Sequence, residues 1–516
     1  MHRIGAFVAF MLLAVALAGC ATRALVMAPD SPDHPWTPTT GPDGEIVARE
    51  RHDVEQRENS SYVLPSNRQL AGIPAPQFDL ERRRVYSLAE LIDIAQSSNP
   101  VTRNAWNDAR DAALVAGIAE STFFPVVSAA IVQGYQRVLS ETSTAVTNGL
   151  TTEGNIAVAS IQWLLFDFGE RRALLDVAKQ GSIISNIAFT AAHQQVIYNV
   201  SLAFYVHAAA RAHLISAAKS LRDANEVQAA AENRYKRGIG TVVEVAQTRQ
   251  ASAEARLAHV QAEGAAQNSY LALIGAIGIS PTTRLEIADI SRRKLPSSMT
   301  EPIERLVSVA LARRPDVLTG YAAVQASLAN LCAAEAEFLP KIFFAGNGTR
   351  LAGNLNITAI PGVGQQLPIV NLPENRLDTK QEQLGATALI GVTVPLYDGG
   401  LRAALLEQAR NKVDKAETNL THVRDEAVRQ IVVARNTLKT SLSAYSAATA
   451  LVAAAQTTFN AALATYRHDV GTISDVTTAE RQLLAAKNAA TDAYSTALTA
   501  AATLALAAGA LGGAPP

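Results

Sequence analysis

Leu165-Phe166-Asp167-Phe168-Gly169-Glu170-Arg171 recurs 231 residues later as Leu396-Tyr397-Asp398-Gly399-Gly400-Leu401-Arg402, and Tyr235-Lys236-Arg237-Gly238-Ile239-Gly240-Thr241 recurs at the same offset as Tyr466-Arg467-His468-Asp469-Val470-Gly471-Thr472. Upstream the offset is 215: Asn99-Pro100 matches Arg314-Pro315, and Glu120 to Pro125 matches Glu335 to Pro340. The 516-residue chain is therefore two copies of one unit, the second carrying 16 extra residues between Pro340 and Asp398. Repeats of this kind build pseudo-symmetric assemblies.

Between the paired anchors lie long stretches that nothing interrupts. From Glu170 to Lys236 the strongest breaker is Gly181, so the segment predicts one helix of 67 residues, about 100 Å at 1.5 Å per residue. Phe189, His193, Val196, Val200, Ala203, His207, Ala210, Leu214, Ala217 and Leu221 step alternately by four and three, a heptad seam. Ala427, Ile431, Ala434, Leu438, Ser441, Tyr445, Ala448 and Val452 repeat it in the second unit. The alanines let helix backbones approach closely, as in the wall of a cylinder. Shorter helices are predicted over Leu88–Ala95, Pro100–Ser121, Ile303–Ala312 and Pro315–Glu337, with Pro100 and Pro315 at the tolerated first position.

After Pro125 and Pro340 the helical period gives way to β-type residues with Gly and Thr. Leu384, Ala386, Ala388, Ile390, Val392 and Val394 share one face of a strand; Gly385, Thr387, Gly391 and Thr393 share the other, with Leu389 the exception. This is the alternation of a lipid-facing barrel strand, although a strand in a soluble sheet fits it equally when taken alone. Loops at Leu139–Thr152 and Leu351–Lys380 are expected to face the cell exterior and to hold most of the 16-residue difference. Asp167-Phe168-Gly169 and Asp398-Gly399-Gly400 then open the long helices, with Asp167 and Asp398 as caps beside Gly169 and Gly400.

The N-terminus indicates export. Arg3 followed by the apolar run Ile4–Gly19 reads as a signal peptide, residues 1–19. Its end, Leu17-Ala18-Gly19-Cys20, fits the bacterial lipoprotein pattern, with Cys20 as the lipidated residue and two or three acyl chains as a stable anchor. Residues 20–86 hold eight of the 21 prolines and read as anchor and extended linker. The first repeat is placed at 87–280, an inter-repeat linker at 281–301, the second repeat at 302–512 and a tail at 513–516. Only one other cysteine occurs, Cys332; it is expected to be a small core residue and leaves no intramolecular disulfide. With 45 basic and 46 acidic side chains the chain offers no electrostatic footprint for nucleic acid, and no stretch after the leader is expected to form a membrane helix.

Enzymatic motifs are missing from the sequence. There is no phosphate loop, no Gly-x-Ser-x-Gly, no His-Glu-x-x-His and no cysteine pair, so no catalytic, cofactor or metal site is assigned. His193 and His207 lie in the seam, and the position matching His207 is Leu438; packing is the simpler role.

Two strands per repeat give four per chain, too few to close a barrel in lipid. Two chains would pool eight strands around a filled interior, three would pool twelve around a lumen. The expected architecture is thus mainly α with a transmembrane β-barrel part: four strands and long coiled-coil helices per chain, closed as a trimer into a 12-stranded barrel and a 12-helix tunnel. A lipid-anchored periplasmic coiled-coil adaptor or spacer without a pore is the alternative.

From Ser87 to Gly512 the chain resembles the TolC family of outer-membrane efflux and secretion ducts. The resemblance is carried by Arg234 to Thr241 with Glu244-Val245, and by Tyr466 to Thr472 with Asp475-Val476. It implies a homotrimer in outer-membrane lipid, joined to a periplasmic membrane-fusion adaptor and to an inner-membrane transporter of the RND or ABC type, with these turns at the periplasmic tip where the tunnel narrows to an aperture. Gly238, Gly240 and Gly471 would allow positive φ where helices reverse, and Thr241 and Thr472 would cap the returning helices. Glu244 and Asp475 fall in their first turns, where a carboxylate stabilises the helix dipole; Asp475 is equally a candidate for an acidic ring at the aperture. Asp469 stands where the family turn usually has glycine, and Thr478 where some relatives are acidic.

Overall fold

A computed structural model describes residues 84–142, 146–289, 302–361, 376–468 and 470–512, with short pieces at 39–40, 46–47, 72 and 295. Cys20, the leader and Asp469 lie outside the described residues. The chain divides into two compact units, Met1–Asp79 and Leu80–Pro516. Within the first, β1 (Thr39–Thr40) pairs antiparallel with β2 (Ile46–Val47).

The elements of the second unit run β3 (Val85–Tyr86), α1 (Leu88–Ser98), α2 (Pro100–Ser121), β4 (Val126–Thr142), β5 (Val146–Phe166), α3 (Glu170–Lys236), α4 (Val242–Ile277), β6 (Glu286–Ile287), α5 (Ile303–Leu311), α6 (Pro315–Ala336), β7 (Lys341–Pro361), β8 (Arg376–Thr393), α7 (Leu401–Arg467) and α8 (Ile473–Ala507). Both long helices have 67 residues and begin and end 231 apart. The duplication is thus structural as well as sequential. Val196, Val200, His207 and Ala217 of the first seam are buried, as are Ala427, Ile431, Ala434, Leu438 and Ser441 of the second.

Two related cores hold each repeat at its waist. Leu91 and Ala95 of α1, Val196, Val200 and Phe204 of α3, and Leu273, Ile274 and Ile277 of α4 form one. Ala310 of α5, Ile431, Ala434 and Leu438 of α7, and Ala500, Leu504 and Ala507 of α8 form the other. Each fully buried Leu, Ile or Phe contributes about 1.5–3 kcal/mol. Side chains tie the start of α2 and α6 to these waists: Asn99 Nδ2 donates to Ala276 O at 3.0 Å, and Arg314 NH1 donates to Ala507 O at 2.9 Å. The segment read as linker also contributes, because β3 pairs parallel with β6 from between the repeats.

The helices pack as two rows. Towards the strands the order is α2, α3, α6, α7; towards the hairpin turns it is α4, α3, α8, α7. Both rows end in α7 on one side, and both leave apolar side chains bare at the other, among them Trp106, Leu114 and Ile118 on α2 and Leu257 and Val260 on α4.

Three expectations need correction. Cys332 is exposed, because the packed face of α6 is the one carrying Val324, Ala333 and Ala336. Two helices, α6 and α7, do contain windows apolar enough to cross a membrane by length and composition, and α6 packs between α3 and α7 in the helical row. The expected loops are mostly strand: β4 pairs with β5 as far as Thr142–Val146, and β7 with β8 as far as Thr358–Arg376. The connections, 143–145 and 362–375, lie outside the described residues and still account for most of the length difference.

All four long strands form one antiparallel sheet in the order β4-β5-β7-β8. They run 17 to 21 residues, about twice the 9–11 that a bilayer crossing needs. Register places Val127, Ala129 and Ile131 beside Ile161, Ala159 and Ala157, and these beside Gly346, Gly348 and Arg350. Phe344, Gly346 and Gly348 in turn face Ile390, Ala388 and Ala386. With Trp163 and Val392 these residues make an apolar band on one face, which ends at Arg350. Ser128, Ser160, Asn347, Thr349 and Thr387 occupy the opposite face, where the Ser128 and Ser160 hydroxyls are 2.7 Å apart. Apolar outside and mixed polar inside is the pattern of a barrel wall. Among the described residues neither edge strand, β4 or β8, has a second strand partner.

Candidate functional site: strand-to-helix junctions and hairpin tips

Asp167 and Asp398 act at the base of the sheet, though not at the cap position itself. The residue immediately before each long helix is glycine in the left-handed region, Gly169 at φ +104° and Gly400 at φ +90°. The aspartate reaches forward from two residues earlier. Asp167 Oδ2 accepts from the backbone N–H of Arg171 at 2.9 Å and from its Nε at 2.8 Å; Asp398 Oδ2 accepts from Arg402 N at 3.1 Å and Nε at 2.5 Å.

Each arginine then closes the corner. Arg171 NH1 donates to Leu164 O at 2.7 Å, at the end of β5, and to Thr122 O at 2.8 Å, at the end of α2. Its guanidinium lies 4.9 Å from the Phe123 ring. Arg402 NH1 donates to Pro395 O at 3.2 Å and lies 5.5 Å from the Phe338 ring. Two arginines that sequence reasoning passed over thus join strand, preceding helix and following helix. The signal was available, since Arg171 and Arg402 are partners at the 231-residue offset. The first clasp is the more deeply set, with side chains 9% and 6% exposed against 13% and 28%. Lys341 at the start of β7 pairs with Glu170 at 2.5 Å, which brings the second hairpin onto the first junction.

The hairpin turns sit at the far end of the long helices. Thr241 caps α4 and Thr472 caps α8, each in a reciprocal box: Glu244 N to Thr241 Oγ1 is 3.1 Å and Thr241 N to Glu244 Oε2 is 3.2 Å. Asp475 N to Thr472 Oγ1 is 3.3 Å, and Thr472 Oγ1 donates to Asp475 Oδ2 at 2.7 Å. Glu244 and Asp475 therefore serve their own helix termini; Asp475 is solvent-exposed and Glu244 half-buried.

The glycines divide by role, contrary to the expectation of positive φ at all three. Gly238 has φ +75°. Gly240 and Gly471 do not; there a Cβ would lie 2.9 Å from Tyr235 N and 2.7 Å from Thr465 Oγ1, so close approach of the turn to the preceding helix requires glycine. The two turns meet where Arg234 lies 5.3 Å from the Tyr466 ring. Beneath them Val227, Phe459, Tyr466, Ile473, Val476 and Leu483 form a separate core. Outside it Ile239, Val242, Val243 and Val470 are exposed.

One acidic residue near the tip escaped the sequence reading. Ile473, Val476, Glu480 and Leu483 share the buried stripe of α8, so Glu480 interrupts an apolar face at core spacing. Its Oε1 accepts from Ser220 Oγ of α3 at 3.1 Å. Burial, with repulsion from Asp223, pushes its carboxyl up to about 7 against the opposing Ser220 hydrogen bond. A carboxyl raised from 4.5 in this way stabilises the fold below its unfolded value and loses that contribution as pH rises through 7. The α3–α8 contact is expected to weaken as pH rises from about 4.5 to about 7 and to level off above that, seen as falling thermal stability, and Glu480→Gln should flatten that slope. Equal slopes in both proteins would place the titration elsewhere.

His207 packs as expected: it is buried, its Nδ1 is 3.1 Å from Ser269 Oγ, and burial lowers its pKa. Among the described residues no cluster of three or more potential metal ligands occurs.

Residues 91–279 and 306–510 match the family described as outer membrane efflux protein. CyaE of Bordetella pertussis is 24% identical over 348 residues, 66% of this chain and 66% of that protein. The cation efflux system protein CusC of Escherichia coli K12 is 24% identical over 331 residues, 63% of this chain and 66% of that protein. The chain thus spans just under two thirds of these curated relatives. Crystal structures extend the likeness of fold: CusC superposes with TM-score 0.67 at 20% identity, covering 86% of this chain and 98% of that one. The Campylobacter jejuni CmeC outer membrane channel gives 0.64 at 18%, covering 82% and 85%.

Proposed function

The chain belongs to the outer membrane efflux protein family, and on that premise we propose that it is the outer-membrane exit duct of a tripartite efflux or type I secretion system. The observation that carries this reading is the sheet: an apolar band across one face and, among the described residues, no further strand partner for the edges β4 and β8. In lipid such edges must be paired. Three chains pairing β8 with the next β4 give twelve strands, enough for a lumen. The helical rows support the same count, since α7 at one end would receive the next chain's α2 and α4. A tunnel of twelve helices then continues the barrel into the periplasm. It is a passive conduit, so energy and selection come from an inner-membrane transporter of the RND or ABC type. The exposed Ile239, Val242, Val243 and Val470 at the tip suit a periplasmic adaptor. Nothing in the reading requires catalysis.

In detergent the full chain should have the mass of three protomers and produce discrete current steps in a planar bilayer. A monomer without conductance would leave the periplasmic spacer as the better reading. We assign Cys20 as the lipid anchor, and expect Cys20→Ser to lose fatty-acid labelling while the protein stays in the outer membrane; recovery of the variant as soluble periplasmic protein would refute an independently inserting barrel.

The aperture is assigned to the turns Gly238–Glu244 and Asp469–Asp475. Asp475→Lys should change single-channel current and cation preference as well as lowering helix stability by about 1 kcal/mol through the lost cap. Glu417, well along α7, is a control, because an exposed charge beyond about 8 Å from the ion path is screened at physiological salt. Loss of stability with unchanged selectivity would confine Asp475 to capping.

A further inference from the structure

One half of the chain shows what covers the other. Along α8, Thr477 and Glu480 are buried and Leu484, Asn488 and Thr491 half-buried, because α3 lies against them. Ser220 Oγ of α3 donates to Glu480 Oε1 at 3.1 Å, and His213 holds Asn488 Oδ1 at 2.9 Å and Asp492 Oδ1 at 2.8 Å. The positions 231 residues earlier, on α4, are Ala246, Arg249, Ala253, Leu257 and Val260, and all five are exposed. Helices α4 and α8 start 231 residues apart, and each packs on the long helix before it. What α4 lacks is the second neighbour that α3 gives to α8. On the opposite side of the row, Ala444 and Leu451 of α7, which correspond to His213 and Ser220, are exposed as well.

We infer that α4 docks on α7 of a second copy in the register that α3 and α8 display, which sets Leu257 against Ala444 of the partner subunit and Arg249 against the partner subunit's Leu451. The inference rests on the duct reading above and adds the residues and register of the contact between chains. Each chain offers two different edges, α4 on one side and α7 on the other, so the contact is head-to-tail and is completed by ring closure. The seams within and between chains share a geometry and differ in chemistry. Hydroxyl, imidazole and carboxyl groups meet within the chain. Between chains the aliphatic Leu257, Val260 and Leu451, all exposed in the single chain, meet instead. Arg249, bonded to Glu232 of its own chain at 3.0 Å, takes the buried place that Glu480 holds in α8.

In a Cys332→Ala background, Leu257→Cys combined with Ala444→Cys is treated in membranes with dibromobimane, a short bridge between two thiols. Covalent dimer and trimer are expected on denaturing gels. Within one chain α3 and α8 stand between α4 and α7, so an oligomeric product comes only from neighbouring copies. Leu257→Cys combined with Leu451→Cys, displaced along α7 by about 10 Å, should give at least about fivefold less. Arg249→Ala should lower the temperature up to which the trimer survives on gels, since Glu232 loses its partner in a buried seam. Gln250→Ala should not, because Gln250 and its counterpart Arg481 are both exposed. A detergent-stable trimer that links only through the displaced pair, or through neither, overturns the inference and leaves the duct standing. Equal heat resistance of the two α4 variants overturns the buried position of Arg249. A protein that is monomeric in detergent removes the duct reading itself, and the inference with it.

Discussion

Asp167→Ala is expected to abolish most of the detergent-stable oligomer, while Asp398→Ala leaves a weakened but assembled protein. The first removes the sole carboxylate bonded to a guanidinium that is 9% exposed. Breaking a buried ion pair from one side costs about 3–5 kcal/mol, because the remaining charge stays desolvated, which is a large share of a domain's margin of about 5–15 kcal/mol. Arg402 keeps more contact with water and donates to one strand-end carbonyl, so its loss of partner is better tolerated. Arg171→Lys should rescue little, because an ammonium lacks the fork that reaches Leu164 O and Thr122 O together. Heat-resistant oligomer on gels, with circular dichroism of the extracted chains, checks the order. Equal damage from the two aspartate variants would show that burial does not set the cost.

Gly353→Ala is expected to prevent barrel formation outright. Gly134, Gly154 and Gly353 lie side by side across three strands, and the last two touch backbone to backbone. A Cβ on Gly353 would lie 2.4 Å from Glu153 O and 2.7 Å from Gly154 Cα. No rotamer relieves a clash with main chain, so the cost reaches at least about 3 kcal/mol, the top of the usual overpacking range. Gly348→Ala, five residues away with nothing within 4 Å of its Cβ position, is the matched control and should insert normally. Normal conductance from Gly353→Ala would mean that β5 and β7 separate more readily than this register implies.

Much of this was readable from residues 165–171 and 235–241 and their duplicates. A stretch of 67 residues without a strong breaker has one regular solution, and so α3 falls at its predicted limits and α7 at the same limits shifted by 231 residues. Strand ends were not readable. Beyond the hydrocarbon layer both faces of a barrel strand meet water, so Asn, Thr and Gly at 139–152 and 351–361 carry no mark that separates strand from loop. Glycine had a similar ambiguity: at Gly238 it supplies an angle, at Gly240 and Gly471 the absence of a Cβ, and sequence does not distinguish the two. Cys332 was misplaced because an alanine-rich helix has no clear apolar stripe. Asp167 was found but its partner Arg171 was not, since an arginine near a helix N-terminus runs against the dipole and only tertiary contacts explain it.

The charged residues on the outer face beyond the apolar band fix how deep the sheet sits. Sinking it would draw Arg350, Lys380 and Glu382 into hydrocarbon, where an arginine or lysine near the midplane costs about 2–4 kcal/mol in each chain. Raising it would strip lipid from Trp163, Phe344 and Ile390. The sheet therefore has one resting depth with resistance in both directions, and the membrane becomes a datum plane. Everything below is measured from it: helices of about 100 Å, rooted at Gly169 and Gly400, carry the turns at Gly238 and Gly471 to a set distance from that plane.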